Sequence, residues 1–156
     1  MHFVWRHKSF EELSNTELYT ILKLRVDVFV IEQECIYPEL DDKDLVSEHL
    51  WAEHNDKIVA YARIIPAGVS YPQASIGRVI VSPEYRNIEL GKALMDKAIK
   101  TADHLFHFPD ICIGAQSRLH KFYESFGFEQ SSEEYPDYGI MHIDMIRKNP
   151  LKRNGN

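Results

Sequence analysis

Cysteine is scarce here: two thiols in 156 residues, Cys35 and Cys112, build neither a disulfide framework nor a four-ligand metal site. Both are expected as buried or half-buried thiols. No apolar run approaches the roughly 20 residues a membrane span needs. The opening Met-His-Phe-Val-Trp-Arg lacks the apolar stretch of a signal peptide. A soluble, cytoplasmic protein is expected, with no membrane partner. Positive charge is the scarcer sign, with 18 Lys and Arg against 24 Asp and Glu and a net charge of −6. Phosphate neutralisation needs surplus cations, which argues against a sequence-blind nucleic-acid binder. Among eight histidines the closest pair is His104 and His107. No third ligand stands in spacing and Pro109 follows at once, so no metal site is expected.

The chain is long enough, and at 44% apolar hydrophobic enough, for one domain with one core. Phe3 to His7 alternates as a first strand. Ser14 and Glu17 have the capping-box spacing and predict a helix of about four turns ending near Ile31. His49 to Glu53 and Lys57 to Ile65 flank Asn55-Asp56 as an antiparallel hairpin. Ser75 to Val81 is a strand whose Val79-Ile80-Val81 end is apolar on both faces, so it must be covered on both and is expected to be central. Leu90, Leu94, Ala98 and Ala102 recur every four residues and predict a helix over about 89–105. Ile111 to Ile113 is a short strand. Ser117 is expected to cap a helix that ends at Gly127. Phe128 to Gln130 and Ile140 to Ile146 are the last strands, joined by a loop. This order predicts an α/β domain with a mixed sheet over residues 1–147, and a basic, disordered tail over 148–156.

Two segments could carry chemistry. In Val79 to Leu94, a buried strand meets a proline turn, Arg86, and a helix with Gly91 in its first turn. Free N–H groups and the positive dipole end at such a start suit phosphate oxygens, Gly91 permits close approach, and Arg86 and Lys92 add charge. The phosphate-loop run Gly-x-x-x-x-Gly-Lys-Ser/Thr is missing. In Gly114 to Phe128, Tyr123 is either a core tyrosine with its hydroxyl bonded or a phenol available as a general acid.

Val79-Ile80-Val81-Ser82-Pro83-Glu84-Tyr85-Arg86 with Gly91 resembles the coenzyme-A motif of the GNAT acyltransferase superfamily. Phe122-Tyr123-Glu124-Ser125-Phe126-Gly127-Phe128 resembles its later tyrosine motif. Arg25-x-x-Val28-Phe29-Val30-x-Glu32-Gln33, Gly77-Arg78-Val79-Ile80-Val81 and Gly139-Ile140-Met141-His142 are similar to its ElaA-type branch. The resemblance implies a mostly antiparallel sheet flanked by helices, splayed at its centre where acetyl-CoA, the acyl donor, inserts. It implies that backbone groups of Val79, Ile80 and Val81 bind the pantetheine and acetyl carbonyl. The N–H groups of Asn87, Ile88, Glu89, Leu90, Gly91 and Lys92 would bind the pyrophosphate beside Arg86, and Tyr123 would protonate the departing thiolate. One departure stands out: the first glycine of the family's Arg-x-x-Gly-x-Gly is Glu89 here.

Transfer to an amine also needs a base, since an alkyl amine with a pKa near 10 is about one part in a thousand free at pH 7. Neither Val79-Ile80-Val81 nor Ile111-Cys112-Ile113 offers a carboxylate. Glu32 and His142 are the candidates, both in segments that the resemblance brings toward the acceptor side. Glu32 to Glu48 holds seven acids and one base. It is either a solvated loop or an acidic mouth that gathers a cationic amine, small or peptidic. Arg86, Lys92, Lys97, Arg118 and Lys121 fall on the expected cofactor side. Tyr135 and Tyr138 are candidates for a homodimer patch or an acceptor lid. The expected function is acetyl-CoA-dependent N-acetyltransfer to a primary amine; the alternative is a silent acyl-CoA-binding module.

Overall fold

The computed structural model describes residues 1–149 and 151. Strands β1 (Val4–Ser9), β2 (Glu48–His54), β3 (Lys57–Ile65) and β4 (Ser75–Val81) pair antiparallel in chain order. The β2–β3 turn is built as its sequence predicts, with φ of 51° at Asn55 and 61° at Asp56, values those two residue types tolerate. Alternation sorts the side chains to two faces. Leu50, Ala52, Val59, Ala60, Ala62, Ile64 and Ile76 join the main core, while Trp51, Tyr61 and Ile80 face the other way.

A helix covers each face. Helix α2 (Leu90–Phe106) buries Leu90, Leu94, Met95, Ala98, Ile99 and Ala102 against the main core, the stripe its four-residue recurrence predicts. Helix α1 (Asn15–Arg25) lays Ile21 onto Trp51 and Tyr61. Its capping box forms: Ser14 Oγ accepts from Glu17 N–H at 3.0 Å and Glu17 accepts from Ser14 N–H at 2.8 Å. The helical path reaches Glu32, near the expected end, but Val26–Glu32 is a wide π turn. Gln33 and Cys35 there donate back five residues, to Val28 and Val30 carbonyls at 3.2 and 3.0 Å.

The second sheet is organised by β8 (Ile140–Arg147), which pairs antiparallel with β5 (Ile111–Gln116), β6 (Glu129–Gln130) and β7 (Tyr135–Asp137). The sheets touch where Cys112 N–H donates to the Ala74 carbonyl at 2.8 Å. Past that point β4 and β5 belong to different sheets, the splay that the resemblance implied. Val79, Ile80 and Val81 are covered on both faces as expected, yet the strand borders the opening. At Arg78, φ +50°, the β3–β4 register slips by one residue. This bulge bends β4 beside the splay.

Three expectations need correction. The helix after β5 is short: a 3-10 turn Ser117–Leu119 leads into α3 (His120–Glu124), and Ser117 Oγ is buried without a partner rather than capping. Backbone already in a tight turn leaves that hydroxyl no helical N–H to accept. The expected loop after Gln130 contains β7, because Tyr135 to Asp137 pair with β8 across Tyr138-Gly139, a turn with φ of 48° and 82°. The domain runs past 147: Asn149 is buried, its Nδ2 donating to Phe108 O at 2.6 Å and its N–H to Asp110 at 2.9 Å. Positions 150 and 152–156 of the expected tail lie outside the described residues.

Candidate active site

The π turn, β4, β5, α3 and the β7–β8 turn surround a cleft of about 130 Å³ in the splay. Two of the three proposed proton carriers line it. Tyr123 points in from α3, held edge-on by Phe122 at 5.1 Å and Phe128 at 6.1 Å between ring centroids. Its hydroxyl makes no hydrogen bond among the described residues. Burial pushes the phenol up to about 12, with Arg118 opposing. His142, on β8, donates from Nδ1 to the Ile140 carbonyl at 2.7 Å and stacks on Tyr135. A carbonyl only accepts, so the neutral ring carries its free lone pair on Nε2.

The third carrier is elsewhere. Both Glu32 oxygens accept from Arg86, at 2.8 and 3.0 Å, and that hydrogen-bonded guanidinium holds the carboxyl below its usual range. Glu32 is not among the residues that line the cleft. Arg86 Nε meanwhile donates to the Val81 carbonyl at 2.9 Å, so that acceptor is already used.

The start of α2 is open. No side chain caps it among the described residues, and its first turn holds no acid. The N–H groups of Leu90, Gly91 and Lys92 therefore lack helical acceptors. Glu89 stands at the cap in the left-handed region, φ +60°, and Asn87 has φ +73°. Glycine would be relaxed at position 89, whereas a side chain there costs roughly 1–2 kcal/mol. The Glu89 carboxylate turns to solvent toward Lys92 at 3.3 Å. A Cβ at Gly91 would meet Phe122 Cζ at 3.7 Å and Val81 Cγ2 at 3.8 Å, so α2, α3 and β4 converge on this glycine. Lys97 faces away from the splay, over the Trp5 ring at 5.1 Å, contrary to its expected place on the cofactor side.

The acidic segment is neither a solvated loop nor a mouth of free carboxylates. Glu39 and Asp44 are buried and, with Asp41, meet three arginines from α1, β3 and β4. Arg25 donates to Glu39 at 2.8 Å and Asp44 at 2.5 Å; Arg63 donates to Asp41 at 2.5 and 2.8 Å; Arg78 donates to Glu39 at 2.9 Å. Burial alone would raise Asp41 and Asp44, but their arginine partners outweigh it and hold both below the usual carboxylate range. Counting charges along the chain misses partners supplied from 14 or more residues away. The same segment still walls the cleft, through Cys35 and Tyr37.

Sequence reasoning also passes over a second cluster. Tyr71 and Tyr135 hydroxyls both donate to Asp144 Oδ1, at 3.1 and 2.7 Å. A Cβ at Gly114 would lie 2.9 Å from the Tyr71 hydroxyl, so glycine in β5 is what lets that tyrosine cross. Gly114 inside a strand is the one signal that could have revealed it. Tyr138 lines the cleft with its ring 5.5 Å from Tyr37. Cys35 and Cys112 are free and buried, as expected. Among the described residues no helix is long and apolar enough to cross a membrane.

Known proteins share this arrangement. Residues 17–148 match the family model described as an acetyltransferase (GNAT) domain. Protein ElaA of Escherichia coli is 43% identical over 148 residues, 92% of this chain and 95% of that protein. Its crystal structure superposes with a TM-score of 0.89, covering 94% of this chain and 100% of that one. An acyl-CoA N-acyltransferase from Pseudomonas aeruginosa, 36% identical, superposes with a TM-score of 0.90 over 94% and 99% of the two chains. With the splayed strands, the uncapped α2 and these likenesses in agreement, the chain belongs to the GNAT family of acyl-CoA-dependent acyltransferases, on the branch that holds ElaA.

Proposed function

We propose that the protein transfers the acetyl group of acetyl-CoA to a primary amine by direct attack. The observation that carries this reading is the Tyr123 hydroxyl, unpartnered and facing the cleft between the two sheets. The ring is buried, but the hydroxyl is open to the cleft and free to bond whatever enters it. In the reaction the amine lone pair attacks the thioester carbonyl, the C–S bond breaks, and the sulfur takes the Tyr123 proton. With its pKa pushed up to about 12, the phenol still holds that proton at neutral pH. The proton is passed as charge builds on sulfur, not released beforehand.

His142 Nε2 is the group that takes the proton from the attacking amine. Its lone pair is set by the Nδ1 bond to Ile140, and it lines the same cleft as Tyr123. Glu32, its rival, has both oxygens engaged by Arg86 and is the weaker base for that reason. The N–H groups from Asn87 to Lys92 hold the donor's pyrophosphate, and the edge of β4 at Val79 and Ile80 holds its pantetheine and acetyl carbonyl. A cytoplasmic location fits an acyl-CoA donor.

Thiol release from acetyl-CoA across a panel of amines tests the assignment. Tyr123→Phe keeps the ring packing and removes a hydroxyl that bonds nothing, so stability should hold while turnover falls roughly 10²-fold. Wild-type turnover in that variant returns Tyr123 to the core.

A further inference from the structure

We propose that Arg78 recognises the acceptor, and that the acceptor is an amine that also carries a carboxylate, as an amino acid does. This rests on the amine-acetylation reading and adds the class of amine.

Three arginines balance three carboxylates beside the cleft, and two of them are spent. Arg25 and Arg63 are 0% and 2% exposed. Arg78 differs: its side chain is 21% exposed and it lines the cleft. One edge of its guanidinium is anchored, Nε to the Glu39 carboxylate at 2.9 Å and Nη2 to the Glu39 carbonyl at 3.2 Å. Its face is held near the rings of Tyr37, at 5.5 Å, and Phe29, at 5.9 Å. Nη1 makes no hydrogen bond among the described residues and is not buried. Two N–H donors of a fixed guanidinium are thus left for whatever enters the cleft. A left-handed conformation at a non-glycine residue persists only where its surroundings over-determine it, and at Arg78 they do.

An arginine held on one edge and open at its end is suited to a carboxylate oxygen, by a charge-assisted bond with fixed direction. The network around it is neutral, so recognition comes from placed donors and not from a general positive field. Asp137, on β7, also lines the cleft and supplies the opposite sign. A wall with one open cationic donor and one carboxylate fits a molecule bearing both an ammonium and a carboxylate. It does not fit a polyamine, which would meet Arg78 with like charge.

The test uses matched acceptors of graded chain length: amino acids, their carboxamides, and the same amines without a carboxyl group. Thiol release from acetyl-CoA is followed with the wild-type chain and with Arg78→Lys, whose folding is checked by circular dichroism. The wild type should favour the carboxylate member by roughly tenfold or more in kcat/KM, the range of a hydrogen bond to a charged group. In Arg78→Lys, which keeps the charge but cannot hold Glu39 by one edge and offer a second, the ratio should fall toward one. Equal rates within a wild-type pair, or preference for the carboxyl-free amine, overturn the substrate class. A ratio that survives in folded Arg78→Lys overturns the role of Arg78. Should that variant not fold, the wild-type ratio alone decides the class. Transfer to none of the amines overturns the amine-acetylation reading itself, and this inference with it.

Discussion

Substituting Glu32→Gln separates two roles that the sequence left joined. Glutamine keeps size and one acceptor oxygen but removes the charge that Arg86 grips at 2.8 and 3.0 Å. The two side chains are 41% and 40% exposed, so water screens the pair and its loss should cost less than about 1 kcal/mol of stability. Its pH dependence has a definite sign. Arg86 lowers the Glu32 pKa in the folded state, so the pair stabilises the protein above the ordinary value of 4.5 and that increment is lost as pH falls through the lowered pKa. The larger effect should be on the donor. A pyrophosphate arriving at α2 must share Arg86 with a carboxylate of its own sign. Removing that carboxylate should tighten coenzyme A by severalfold, roughly 1 kcal/mol. Calorimetry with coenzyme A, and turnover at saturating acetyl-CoA across a pH series, measure both. If Glu32 only holds Arg86, turnover should be nearly unchanged beside tighter coenzyme A, while His142→Ala loses turnover that rising pH partly restores. A hundredfold loss in Glu32→Gln at saturating donor, restored by rising pH, would refute this reasoning and return Glu32 to the base role.

Gly91→Ala should fold and bind coenzyme A, because its Cβ would find ordinary contacts at 3.7 and 3.8 Å; Gly91→Val must place further methyl groups between α2 and Phe122. Calorimetry should show coenzyme A weakened roughly tenfold or more by valine, about 1.4 kcal/mol. Arg25→Ala should destabilise by about 3–5 kcal/mol in chemical denaturation, since it leaves Glu39 and Asp44 buried with one partner fewer. Asp44 and Asp41 have folded pKa values below their ordinary 3.8, so their contribution is present above that pH and fades as pH falls through the lowered values. The acid limb of the stability profile should be shallower in Arg25→Ala, where Asp44 has lost one guanidinium.

Most of the fold was legible because its signals are local. The capping box at Ser14 and Glu17, the four-residue recurrence in α2 and the Asn55-Asp56 turn each depend on neighbours within one or two turns of chain. The elements that escaped depend on distant partners. β7 has three residues and exists because β8 offers it an edge, and Ser117 stops short of capping because the chain has already tightened at the end of β5. The π turn puts Phe29 and Gln33 on the cleft by a change of pitch that no apolar spacing announces.

Residues read in order were enough for the family, the strand and helix order, and the glycine near the open start of α2, and they pointed to Tyr123, which lines the cleft. Residue types at short spacing carry that information. Where charge goes depends on contacts between distant segments. Glu32 stands beside Gln33 in the chain, yet it turns to Arg86, 54 positions on, and leaves the cleft to His142. The carboxylates of 39, 41 and 44 looked like an exposed acidic run until Arg25, Arg63 and Arg78 arrived from three separate elements to pair with them. Coulomb attraction acts through space and is strong only where burial removes water, so no count along the chain reveals which acids are free.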